Sequence, residues 1–76
     1  MESMNENKVM KASMKARCIT QKELAEKLGT TQNNLSGNMN RVRTSMDVFK
    51  GVLNALDYDV AVIDRRTGEI VWVVEP

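Results

Sequence analysis

The sequence predicts a mainly α chain, with four short helices over residues 1–57 and a C-terminal β-hairpin over residues 58–76. Up to Leu56, apolar residues recur at the 3.6-residue period of amphipathic helices, punctuated by hydroxyl caps and a glycine stop. From Tyr58 onward the period drops to two, in β-branched and aromatic runs around a Gly-containing turn. Charge divides the chain at the same place. Residues 1–56 hold nine Lys/Arg against five acids, a net of +4, and residues 57–76 hold two against five, a net of −3. The helical part is therefore expected to meet a polyanion and the tail to avoid one.

Each element has a local reason. From Asn5 to Arg17 the apolar positions Val9, Met10, Ala12, Met14 and Ala16 fit a helix, with Lys8, Lys11 and Lys15 on its other side. Thr20 and Glu23 form a capping box for a second helix, Gln21 to Leu28, whose inward stripe is Leu24, Ala25 and Leu28. Gly29 supplies its left-handed stop. Thr31 caps a third helix from Gln32 to about Met39, with Leu35 and Met39 inward at i, i+4. Thr44 with Asp47 signals the cap of a fourth, Ser45 to Leu56, with Met46, Phe49, Val52, Leu53 and Leu56 on one face. The runs 58–64 and 69–75 are then two strands joined through Arg65, Arg66, Thr67 and Gly68. Strict alternation puts Val60, Val62, Ile70, Trp72 and Val74 on one face of the ribbon and Ala61, Ile63, Val71 and Val73 on the other.

Composition excludes several classes of function. A chain of 76 residues builds one small core, so help from a partner chain is expected. No run of 18 apolar residues exists, and the first 15 positions are too polar for a signal peptide, which predicts a soluble, cytoplasmic protein. With one cysteine and no histidine, no internal disulfide and no zinc set can be assembled, and no cofactor is implied. Cys18 is expected as a small buried or half-buried residue at a helix end, and Met4, Met10, Met14, Met39 and Met46 as core filler. An enzyme is not expected, because the inventory holds no catalytic His, no Cys pair, no Gly-rich phosphate loop and only scattered carboxylates.

The second and third helices, joined by a short turn containing Gly29, have the pattern of a DNA-binding helix-turn-helix, whose second helix enters the major groove. The third helix is filled with amides, a poor choice for helix stability. With Leu35 inward and 100° per residue, Asn33, Ser36, Gly37 and Asn40 point away from the core, and Gln32 lies at the groove-facing N-terminal end. Gln and Asn offer a donor and an acceptor side by side, matching N6 and N7 of adenine. Gly37 lacks a side chain where the helix would approach the duplex. The expected base-reading set is thus Gln32, Asn33 and Gly37 with Ser36 at its flank. Arg41 and Arg43 in the following loop are expected on phosphates, and Gln21, Thr31 and Asn40 on phosphates or flanking groups.

The stretch TQKELAEKLGTTQNNLS, followed at the expected distance by MDVFKGVLNALDYDV, resembles the phage repressor and Cro type of helix-turn-helix regulator over about residues 8–60. The resemblance implies a four-helix repressor-like bundle, a homodimer and an operator near the protein's own promoter. It also implies that Gln21 touches phosphate and that Gln32, Asn33 and Gly37 occupy recognition positions. Many members pair an Arg of the first helix with a Glu at the end of the third. Met14 and Met39 stand at those places here, so apolar packing replaces the ion pair. The hairpin lies outside the shared bundle and is expected to join two subunits through Val60, Val62, Ile70, Trp72 and Val74, since a two-stranded ribbon alone cannot cover two apolar faces and two edges. The alternative for the hairpin is packing on its own helices with the dimer formed elsewhere. For function, the expectation is a homodimeric, sequence-specific DNA-binding repressor. The alternatives are an antitoxin that binds both DNA and a toxin, and a protein-binding adaptor.

Overall fold

A computed structural model of the chain describes residues 4–41 and 44–75. Its order is α1 (Glu6–Ala16), α2 (Gln21–Leu28), α3 (Gln32–Met39), α4 (Met46–Ala55), β1 (Val60–Ile63) and β2 (Ile70–Val74). Every helix opens on a side-chain oxygen. Asn5, Thr20, Thr31 and Ser45 sit in extended backbone and accept from the amides of Lys8, Glu23, Asn34 and Val48. The cap of α4 is Ser45 rather than the expected Thr44. The Thr44 hydroxyl is occupied elsewhere, donating to Asn7 Oδ1 at 2.8 Å, which leaves the next hydroxyl to close the helix.

Three helices end in the same way. Cys18, Gly29 and Asp57 adopt left-handed backbone, at φ 55°, 69° and 63°. In each case the next amide reaches back to the helix: Ile19 to Met14 O (3.1 Å), Thr30 to Ala25 O (3.0 Å) and Tyr58 to Leu53 O (2.9 Å). This is the double-bonded C-terminal motif that satisfies orphan carbonyls and swings an apolar residue back onto the helix. Ile19 and Tyr58 accordingly pack against the core. Cys18 is exposed rather than buried, because the left-handed turn points it outward.

The core consists of Met10 and Met14 of α1, Leu24 and Ala25 of α2, Leu35 and Met39 of α3, and Val52, Leu53 and Leu56 of α4 and its cap. Met14 and Met39, the places where the ion pair was expected to be replaced, are both buried in this one cluster. Burying each of these larger side chains contributes about 1.5–3 kcal/mol. Other parts of the apolar pattern fall outside the core. Ala12 and Ala16 are exposed, as are Met4 and Met46, so only three of the five methionines read as filler are buried. The periodic stripes of α1 and α4 are wider than the surface that two eight-residue helices can cover.

β1 and β2 pair antiparallel, Val60 with Val74, Ala61 with Val73 and Val62 with Trp72. The register then shifts, so that Ile63 pairs with Ile70 and Val71 is the extra residue. Ile70 therefore leaves the face of Val62 and Trp72, where strict alternation placed it, and joins that of Ile63. Gly68, at φ 77°, closes the turn, its amide on Asp64 O at 2.7 Å. The hairpin meets the bundle where β1 follows α4 and does not fold back over it. Ile70 and Trp72 are 65% and 69% exposed, which excludes Trp72 as an anchor of this chain's own core. The described chain is elongated, 40 × 22 × 22 Å.

The left-handed Cys18 gives the fold a testable strain. An L-residue there costs roughly 1–2 kcal/mol, and glycine recovers this minus its larger entropy loss on folding. Cys18→Gly should therefore raise the unfolding free energy by about 0.5–1 kcal/mol in urea titrations. Unchanged or lower stability would contradict the assignment of this residue as a left-handed helix stop.

Candidate nucleic-acid interface

The α2–α3 unit is fixed at both ends by local chemistry. At its start Glu23 N donates to Thr20 Oγ1 and Thr20 N to Glu23 Oε1, each at 3.2 Å, completing the expected capping box. At the turn, Gly29 N donates to Glu26 O (3.2 Å) and Thr30 N to Ala25 O (3.0 Å), so that α2 stops and α3 begins after three residues, Gly29 to Thr31. Asn34 N then donates to Thr31 Oγ1 at 3.1 Å. That bond uses the oxygen as acceptor and leaves the Thr31 hydroxyl hydrogen free to donate outward.

Leu35 and Met39, 2% and 0% exposed, hold α3 to the bundle. Gln32 at the N-terminal end of the helix and Asn33, Asn34 and Gly37 along it are all exposed, and no residue of the helix is charged. Three of the four expected base-reading residues, Gln32, Asn33 and Gly37, are thus exposed. Ser36, the fourth, is half-buried. Its carbonyl and hydroxyl oxygens both accept from Asn40 Nδ2, at 2.9 and 3.3 Å. Asn40, although exposed, is therefore folded back on its own helix instead of projecting outward. Gln21, at the first position of α2, is half-buried, and Thr31 is exposed.

Asn7 is a site residue that the sequence reading missed. Its Nδ2 donates to Arg41 O at 2.8 Å while its Oδ1 accepts from Thr44, so one α1 amide ties both sides of the loop after α3. Arg41 is exposed and its backbone is held in this way. Arg43 lies outside the described residues. Nothing local in the sequence marks Asn7, since its partners are 34 and 37 residues away.

The exposed part of α3 and the loop after it offer amide donors and acceptors, the Thr31 hydroxyl, the N-terminus of α3 and the Arg41 guanidinium. Such a set recognises base edges and anionic oxygens. Comparison with protein-family models, with characterised proteins and with solved structures finds no match for this chain.

Gly37 is not required by the packing of this chain. A Cβ built there meets nothing within 4 Å, and the backbone is ordinary helix. Folding therefore gains nothing from the glycine, which costs about 1 kcal/mol relative to alanine. Gly51, inside α4, is equally open. Gly37→Ala and Gly51→Ala should each raise stability by about 0.5–1 kcal/mol, read from thermal melts. A destabilised Gly37→Ala would mean that the chain itself needs glycine there.

Proposed function

We propose that this chain is a sequence-specific DNA-binding regulator that acts as a homodimeric repressor, with α3 as its reading helix. The observation that carries the reading is the composition of the exposed side of α3. Gln32, Asn33, Asn34 and Gly37 are all exposed on a helix anchored by Leu35, Met39 and its cap. This surface is poor for helix stability and well matched to the edge of adenine. The net charge of +4 over residues 1–56 and the resemblance to repressor and Cro-type regulators point the same way. In this reading Gln32 and Asn33 read bases, Gly37 permits close approach with Ser36 at the flank, and Gln21, Thr31, Arg41 and Arg43 meet phosphates, while the Asn40 amide is engaged by Ser36.

A single eight-residue helix spans few base pairs, so two copies must present their helices about 34 Å apart. The hairpin is the proposed joint. Val62 and Trp72 are opposed on one face and both exposed, and Val60 and Val74 continue that face toward the bundle. A ribbon with apolar residues open on both sides is covered when a second copy pairs with it. The same open hairpin also fits a toxin as partner, which keeps the antitoxin reading as the second one.

Selection of random duplexes by the purified protein at about 100 mM salt should enrich a two-fold symmetric motif, and failure to enrich any motif would end the regulator reading. Within it, Asn33→Ala should relax preference at one base position by roughly 1–3 kcal/mol. Gly37→Ala should weaken binding about tenfold or more, as for a lost base contact, despite its stabler fold. Arg41→Ala should weaken all duplexes alike and flatten the salt dependence by about one unit of slope. Because Val62 and Trp72 are exposed in the single chain, Val62→Asp with Trp72→Glu should leave a folded monomer that has lost operator affinity. A variant that still sediments as a dimer and binds would remove the hairpin from that role.

A further inference from the structure

We infer that Arg17 is a positioning residue that fixes the direction in which the hairpin leaves the bundle and, resting on the proposed dimeric DNA reader, sets the operator half-site spacing. Arg17 caps α1, yet its guanidinium serves the far end of the chain. Its Nε donates to Leu56 O at 2.9 Å and Nη2 to Asp57 O at 3.3 Å, and the group lies 4.0 Å over the Tyr58 ring. The two carbonyls belong to the cap of α4 and the left-handed residue after it. A planar cation with a fixed fork there neutralises the negative end of α4 and stacks on the aromatic ring in one geometry, which a lysine cannot reproduce.

The location makes this contact a rudder. Only Leu56 to Asp59 connect α4 to β1. Three of these four residues are engaged by Arg17: two through their carbonyls, and Tyr58 through its ring, which also packs against the core. Beyond them the strands offer little contact that could hold an angle, since Val62, Ile63 and all of β2 up to Val73 are exposed. If the hairpins are the joint between copies, the distance between the two α3 helices follows from this junction. A few degrees of freedom there are amplified along the ribbon, and an intramolecular second contact forms only when the connection matches the span.

The test is a selection on duplexes carrying two copies of the enriched half-site separated by every spacer length over one helical turn, using the native chain, Arg17→Lys and Tyr58→Leu. Both variants keep the charge or the apolar packing, and folding is checked by thermal melts. The native chain should favour one spacer by at least about tenfold over its neighbours, and each variant should flatten that preference to about threefold or less while reading the same half-site. Variants that melt lower but keep the native spacer preference would overturn the inference and leave Arg17 a purely structural residue. Absence of any half-site for the native chain would instead defeat the DNA-binding reading itself. A native chain that binds half-sites with no spacer preference would overturn the inference while leaving that reading in place.

Discussion

The burial of Leu35 and Met39 is the constraint on which the rest of the arrangement depends. An isolated eight-residue helix is unstable in water even with favourable residues, and α3 contains three asparagines, a serine and a glycine. Its existence is therefore a tertiary fact. Two side chains enter a core already formed by Met10, Met14, Leu24 and Val52, and the Thr31 cap removes one orphan amide. With those in place, the exposed positions of α3 lie outside the core and are free to carry surface chemistry. The amides of α3 are tolerated because its anchors are close to fully buried.

A second constraint acts at the helix ends. The left-handed residues Cys18, Gly29 and Asp57 turn the chain back three times, and two of them are brought together by Arg17, which sits beside Cys18 in sequence and bonds the Asp57 carbonyl. The end of α1 and the end of α4 are thus one junction, made of two strained turns, a guanidinium and a tyrosine ring. Local backbone rules determine where each helix stops, and the long-range contact determines how the two stops are arranged.

Helix positions were legible in the sequence because their signals are local: a hydroxyl or amide cap, a buried pair at i, i+4 and a glycine stop. Of the outward set that helix geometry gives once Leu35 is inward, Asn33 and Gly37 are open, whereas Ser36 is half-buried and Asn40 is turned back onto it. What could not be read there depends on distant partners. Thr44 and Ser45 are equally good caps, and Asn7 decides between them. Cys18 and Asp57 carry no glycine signal for their left-handed backbone. Asn40 looked outward-facing until Ser36 supplied it with two acceptors. The shift that moves Ile70 to the other face of the ribbon occurs among β-branched residues that favour either register, and no glycine marks it.

The hairpin remains the part of the chain whose sequence and single-copy surroundings disagree. Its residues are those of a buried strand, yet Ile70, Val71, Trp72 and Val73 all stand in solvent. Alternation makes this unavoidable for one chain, because a ribbon with apolar side chains on both faces cannot turn both toward one bundle. Folding it back on the helices would cover at most one face and leave the other, with two unpaired edges, exposed. In the proposed reader the same surplus has a use. One α3 supplies two or three amide contacts, each discriminating by roughly 1–3 kcal/mol, which falls short of the total of about 4–10 kcal/mol that separates specific from non-specific sites. A second copy, held by the apolar surface that the first cannot bury, doubles the free energy of discrimination without any change in α3. The residues that make the hairpin unsuited to a monomer are then the ones that make a small, uncharged reading helix sufficient.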